Sequence, residues 1–225
     1  MTQFIDLSQA IRPGEITHPG LPAPQTEPFR TREEFRAAAG TTFQIDRIEM
    51  VGNTGTYLDS PFHRFPDGGD LASLPLSAVA DLPIAVVVGD PSRRAVDAQI
   101  IAQAIGEQDL EGSAVLLRTG GDAQWGTPAY GDDAPYLSAD GARWLAERKP
   151  ALVGIDAVNI DDLADLSRPA HTQLLAAGVL VLEHLTRLGD LPAAGARLHA
   201  APPAWHGVGT WPVRAYAIVR DDARR

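Results

Sequence analysis

The chain reads as a mixed α/β domain, and three observations predict it. Short apolar runs recur at 84–88, 114–118, 151–155 and 179–182, most of them closed by Gly, Asp or Glu, as buried strands are. Stretches with helical spacing alternate with those runs through the second half. The length, 225 residues, suits one domain spanning 1–225, able to bury roughly 70% of the area its unfolded chain exposes.

Taken in order, residues 12–29 carry Pro13, Pro19, Pro22, Pro24 and Pro28, which excludes regular helix. An extended proline-rich arm is predicted there, anchored by Ile16, Leu21 and Phe29. Residues 43–51 alternate apolar and polar positions, with a phase slip near Arg47 and Ile48 that predicts a bulged strand. The strand at 84–88 ends in Gly89-Asp90-Pro91, and a helix follows over 97–105 on Ile100, Ile101, Ala104 and Ile105. After the strand at 114–118, Ser138 caps a helix running to Lys149 with Ala142, Leu145 and Ala146 inward. The strand at 151–155, a helix over 169–177 stopped by Gly178, the strand at 179–182 and a last strand at 213–219 complete the set.

Composition removes several function classes. A formal charge of −10, from 19 Lys+Arg against 29 Asp+Glu, argues against a phosphate backbone as partner. With no cysteine there is no disulfide, thiolate metal site or thiol nucleophile, so any metal rests on His, Asp, Glu or neutral oxygens. The opening MTQFIDLSQAIRPGE lacks a basic start followed by an apolar core, and no apolar run nears the ~20 residues of a membrane span. The expectation is a cytoplasmic protein acting on a small molecule, with neither nucleic acid nor membrane as partner.

Two constellations carry chemistry. In an extended chain the odd-numbered Asn53, Tyr57, Asp59 and His63 share one side, with Gly55 and Pro61 keeping that side open. The second is His171, in the helix before Gly178, with Glu183 directly after four apolar residues. A carboxylate so placed is expected to be partly buried, at the strand end where open α/β sheets gather ligands. Neighbouring His184 is expected on the opposite face.

Together these pieces resemble the cyclase family of metal-dependent hydrolases, which includes kynurenine formamidase and isatin hydrolase. The family signature is His-x-Gly-Thr-His-x-Asp-x-Pro-x-His, and the window here reads Asn53-Thr-Gly55-Thr56-Tyr57-Leu-Asp59-Ser-Pro61-Phe-His63. Ile5-Asp-Leu-Ser8, Leu117-Arg-Thr-Gly120, Val153-Gly-Ile-Asp156, the His171/Glu183 pair and Pro212-Val-Arg-Ala215 extend the likeness over nearly the whole chain. The resemblance implies a swivelling β/β/α-type mixed sheet with outer helices, assembled as a homodimer or homotetramer. It also implies hydrolysis of a C–N bond in a small aromatic or cyclic amide, with Asp59, His171 and Glu183 as ligands of one divalent metal, Zn or Mn, and His63 in acid/base catalysis.

Asn53 and Tyr57 stand where the signature has metal-binding histidines. An amide oxygen is a weak zinc ligand, and a phenol with pKa near ~10 stays protonated at neutral pH. One ion or none therefore both stand as expectations. With an ion, Asn53 and Tyr57 become hydrogen-bond donors to the substrate carbonyl. Without one, Tyr57, His63 and Asp59 are left to move protons in a cyclisation, dehydration or isomerisation. A third reading is a binding protein that retains only the scaffold. Phe62 and Phe65, flanking His63, are expected as substrate contacts, and His18 at the cavity mouth. The aromatic residues Trp125, Trp144, Trp205, Trp211, Tyr130 and Tyr136 are candidate walls for a planar substrate. Asp156 and Asp161 are expected to be structural, and His206 to sit in a loop closing a site or a subunit contact.

Overall fold

The computed structural model describes residues 1–220. Its strands are β1 (Thr2–Asp6), β2 (Gln25–Arg30), β3 (Ile45–Glu49), β4 (Tyr57–Asp59), β5 (Leu82–Val88), β6 (Ala95–Val96) and β7 (Ala114–Arg118). They continue as β8 (Tyr136–Leu137), β9 (Leu152–Ile155), β10 (Leu180–Glu183), β11 (Ala196–His199), β12 (Thr210–Pro212) and β13 (Tyr216–Arg220). The helices are α1 (Arg32–Ala39), α2 (Ala98–Ile105), α3 (Ala139–Arg148) and α4 (Pro169–Ala176).

Nine strands form one mixed sheet in the order β1-β13-β11-β5-β7-β9-β10-β4-β12. The apolar runs make its parallel centre, β5-β7-β9-β10, and α2, α3 and α4 are the crossovers that parallel pairing requires. Asp97 and Ser138 cap α2 and α3 by accepting from Ile100 N–H and Gly141 N–H. Alternate residues of the central strands then face two cores. Val115, Leu117, Val153, Ile155 and Val181 meet the helices, whereas Leu116, Leu152, Leu180 and Leu182 pack into the concave side with Leu58, Leu198 and Ala217. The sheet is thus curled, with helices on its outer face, which matches the fold class expected.

Three local expectations are corrected. The last strand is broken at 213–215, because Ser8 Oγ accepts Ala215 N–H (2.6 Å) and Thr56 C=O accepts Val213 N–H (2.9 Å), carrying the chain from β4 across to β1. The arm is not extended loop throughout: residues 25–30 pair as β2 with β3, which is shorter than 43–51, and the irregularity falls at Pro28/Arg30 rather than at Arg47. Between β2 and β3 lies α1, which the pattern did not predict. Its signals are local: Thr31 and Glu34 form a reciprocal capping box, and Gly40 closes the helix at φ +69°. No residue of α1 is buried, so its apolar face offered no periodic core stripe to read.

Candidate active site

The register of one short strand assembles the site. Tyr57 and Asp59 of β4 lie two residues apart and share a face. Across from them, Glu183 of β10 pairs with Tyr57, and Thr210 of β12 pairs with Asp59. Direct cross-strand partners have side chains in contact, and both pairs are hydrogen-bonded. Tyr57 Oη donates to Glu183 Oε2, and Thr210 Oγ1 donates to Asp59 Oδ1. Beyond β4 the chain turns into a single 3-10 turn over Pro61–His63, bringing His63 Nδ1 to 2.6 Å from Thr210 Oγ1. The turn packs directly on Gly209, where a Cβ would stand 2.4 Å from His63 N.

His171 enters from α4. The Asp161 carboxylate accepts the N–H groups of Ala170 (2.6 Å) and His171 (3.1 Å) at the helix start, and Nδ1–H of His171 as well (2.6 Å). That bond fixes the tautomer and leaves Nε2 facing Asp59 Oδ2 and Glu183 Oε1, each at 3.6 Å. The same logic applies to His63. A carboxylate only accepts, so the Thr210 hydroxyl donates to Asp59 and accepts from His63 Nδ1–H, which leaves His63 Nε2 with a free lone pair.

Charge is concentrated where water is scarce. Burial opposes a charge on His171, but Glu183, Asp161 and Asp59 outweigh it and raise the imidazole to about 10. Burial pushes Glu183 up to about 7. It also holds Tyr57 well above the usual phenol range, with the Glu183 and Asp59 carboxylates adding to the effect. Glu183 Oε1 accepts Ile160 N–H at 2.5 Å, so both of its oxygens have donors.

A cavity of about 310 Å³ opens over this cluster, lined by His18, Leu21, Asn53, Tyr57, His63, Arg64, Asn159, Arg168, His171 and Glu183. Asp59 lies fully buried behind it. Of the residues singled out from sequence, Asn53, Tyr57, His63, His171, Glu183 and His18 meet there. Phe62 and Phe65 do not line it. A 3-10 turn rotates each side chain by about 120°, so the neighbours of His63 point elsewhere, and Phe65 packs on the helix-side core beside a separate opening lined by Leu175 and Ala176. Tyr57 is not free to donate to a substrate, its only proton being committed to Glu183. Buried His184 turns away, as expected, with Nδ1 3.1 Å from Tyr130 Oη and its ring packed against Trp125. His206 stays at the surface beside Asp70.

Sequence reasoning missed Arg64, Asn159, Arg168 and Thr210, and gave Asp161 a structural role only. Arg64 follows His63 directly and Arg168 precedes the Pro169 that starts α4, so adjacency to the motif was the available signal for those two. Thr210 had none, lying 151 residues from Asp59.

The donor set fits one divalent cation. Ligand atoms of Asp59, His63 and His171 lie within 4.8 Å of one another, a trio among the described residues that could hold a metal ion, whereas the expected set had Glu183 in place of His63. Asp59 Oδ2 is buried and has no hydrogen-bond partner among the described residues, an orphan 3.6 Å from His171 Nε2 that a cation would satisfy. The Asp161–His171 contact is the outer carboxylate that orients many histidine ligands.

Known proteins share the family and fold of this chain. A family model described as "Putative cyclase" matches residues 5–162. A kynurenine formamidase from Bacillus mycoides (strain KBAB4) is 30% identical over 220 residues, 95% of this chain and 96% of the relative. Isatin hydrolase A from Labrenzia aggregata, solved bound to benzyl benzoate, superposes with a TM-score of 0.82 at 25% identity, covering 97% of this chain and 94% of its own. A structure described as a potential metal-dependent hydrolase with cyclase activity superposes at 0.79 with 27% identity, over 98% of this chain and all (100%) of that one.

Proposed function

The chain belongs to the cyclase family, and from that premise we propose that it is a hydrolase opening the amide C–N bond of a small aromatic or cyclic substrate, with one divalent ion at Asp59, His63 and His171. The kynurenine formamidase and isatin hydrolase relatives support the reaction class. The single observation that supports the ion is the orphaned Asp59 Oδ2 facing His171 Nε2. When bound, such an ion supplies the positive charge that polarises a carbonyl and acidifies water.

The chain's own residues do the rest. Asp161 and Thr210 hold the two imidazoles in the tautomers that present Nε2. Glu183, lifted by burial to about 7, is poised to take a proton from water and return it to the leaving nitrogen. Tyr57 and Ile160 N–H keep that carboxylate in place, and the Asn53 amide in the cavity wall offers a donor to the carbonyl oxygen. A cytoplasmic location and a homodimer or homotetramer belong to the proposal. Exposed Phe29, Phe43, Ile45 and Ile48, on and beside the β2–β3 excursion, are apolar surface that a second copy would cover.

A second reading rests on a different observation. Asp59, Asp161 and Glu183 surround a His171 held protonated, so one positive charge already sits among these carboxylates without an ion. A metal-independent cyclase, dehydratase or isomerase would then move protons at His63 Nε2. Elemental analysis of protein purified without chelator, followed by turnover of formyl-kynurenine or isatin with and without EDTA, separates the two. Bound metal and EDTA-sensitive turnover are expected; metal-free protein inert on both amides would replace hydrolysis by the second reading.

A further inference from the structure

We propose that Arg64 and Arg168 form an anion-binding subsite at the cavity mouth, selecting substrates that carry a carboxylate beside the scissile amide. Both side chains line the cavity. Among the described residues, no carboxylate lies within 4.0 Å of either guanidinium. Arg93, Arg94, Arg187, Arg197 and Arg214 all have an Asp partner. In a chain with ten more acidic than basic residues, Arg64 and Arg168 both face the same opening with no carboxylate partner of their own.

Their surroundings keep them available. Arg168 donates from Nη1 to neutral oxygens, Asn159 Oδ1 at 3.4 Å and the Asp162 carbonyl at 3.3 Å, both long contacts that leave other N–H groups free. Its backbone sits in the left-handed region at φ 51°, ψ 59°, just before Pro169, a conformation uncommon for a non-glycine residue. Arg64 Nε donates to Thr172 Oγ1 (3.2 Å), and the same hydroxyl donates to the Arg168 carbonyl (2.7 Å), so one threonine ties both arginines to the first turn of α4. The acidic groups nearby do not compete: Glu183 is engaged by Tyr57 and Ile160 N–H, and Asp59 is buried behind the wall. His18, on the facing arm, is kept neutral, burial first and Arg168 next among the influences that lower it. A planar carboxylate matches the fork of a guanidinium.

The inference rests on the hydrolase reading for its chemistry, though not for binding, and the test keeps them apart. Calorimetric titration with 2-aminobenzoate and with neutral benzamide measures binding; kcat/KM for 2-formamidobenzoate against formanilide measures selection. Wild type should bind 2-aminobenzoate saturably, more weakly as salt rises. Arg168→Gln and Arg64→Gln should each weaken it by roughly 10- to 100-fold, the loss expected for one charge-assisted partner. Arg168→Lys, which keeps the charge, should recover part of that, and the kcat/KM ratio should fall in parallel. Arg64 is exposed, so Arg64→Gln remains informative even if Arg168→Gln misfolds. Absent binding by wild type, or binding unchanged in both Gln variants, overturns the subsite while leaving amide turnover standing. Arginine-dependent binding with neither formamide turned over supports the subsite and overturns the hydrolase reading.

Discussion

Replacing Thr210 by Val removes one hydroxyl and nearly nothing else, since both residues are β-branched and suit the strand. That hydroxyl is buried and bridges Asp59 Oδ1 to His63 Nδ1. Asp59 Oδ2 already lacks a donor, so Thr210→Val leaves both oxygens of a fully buried carboxylate unsatisfied in the metal-free protein. Losing a hydrogen bond to a charged group costs about 1.5–3 kcal/mol. For a domain of this size each kcal/mol shifts Tm by about 2–4 °C, which predicts a fall of roughly 3–12 °C in chelator-treated protein. Activity should suffer separately. His63 Nδ1 loses its acceptor, and Asp59 Oδ1 at 3.8 Å is too far to replace it without a shift, so Nε2 is no longer presented in one tautomer. Loss of an outer-shell partner predicts kcat lowered by roughly 10- to 100-fold. Calorimetric melts, steady-state kinetics and nitrogen-detected histidine NMR check each link, with Thr210→Ser as the control that restores the hydroxyl. A Thr210→Val protein that melts with wild type and keeps both its kcat and the His63 Nδ1–H tautomer would refute the reasoning.

Other expectations follow from the same contacts. Asp161→Asn places an amide NH₂ against a donor now held by the carboxylate, so stability should drop by about 1.5–3 kcal/mol and titrated Zn or Mn should bind roughly 10- to 100-fold more weakly. Gly209→Ala puts a methyl 2.4 Å from His63 N, against backbone that cannot rotate away. It should cost about 1–3 kcal/mol and displace the His63 turn, visible as lost turnover exceeding the loss in folded protein. His171 is raised from 6.5 to about 10, so its contribution is full below 6.5 and disappears as pH rises through 10. Metal-free protein should therefore lose stability between about pH 7.5 and 9.5, by at most about 1.4 kcal/mol per unit for this group. Glu183, at about 7, and His184, lowered to about 3, have largely finished titrating below that window. Denaturant titrations should show the slope vanish in His171→Asn.

The parallel centre was legible because β7, β9 and β10 are buried almost throughout on both faces, and such strands must be written as unbroken apolar runs; β5, partly exposed, carries the same kind of run. Glu183 stood out for a related reason, since an ionisable group just after such a run has to be buried, whereas Asp59 was marked by the alternation of polar residues over 53–63. The β2–α1–β3 excursion was less legible because its exposed strands and helix bury no periodic stripe. The two arginines escaped because each sits on a turn, where side-chain direction follows no fixed period.

Sequence alone therefore determined the α/β class, the strand and helix order of the parallel centre, and that the Glu183 carboxylate would be forced inside, since burial leaves a mark at the residue itself. Tertiary structure decided the partners. That Tyr57 holds Glu183 and that Thr210 links Asp59 to His63 both follow from β4 pairing between β10 and β12. Those strands begin more than a hundred residues further along the chain, and local spacing carries no information about a register set by long-range pairing.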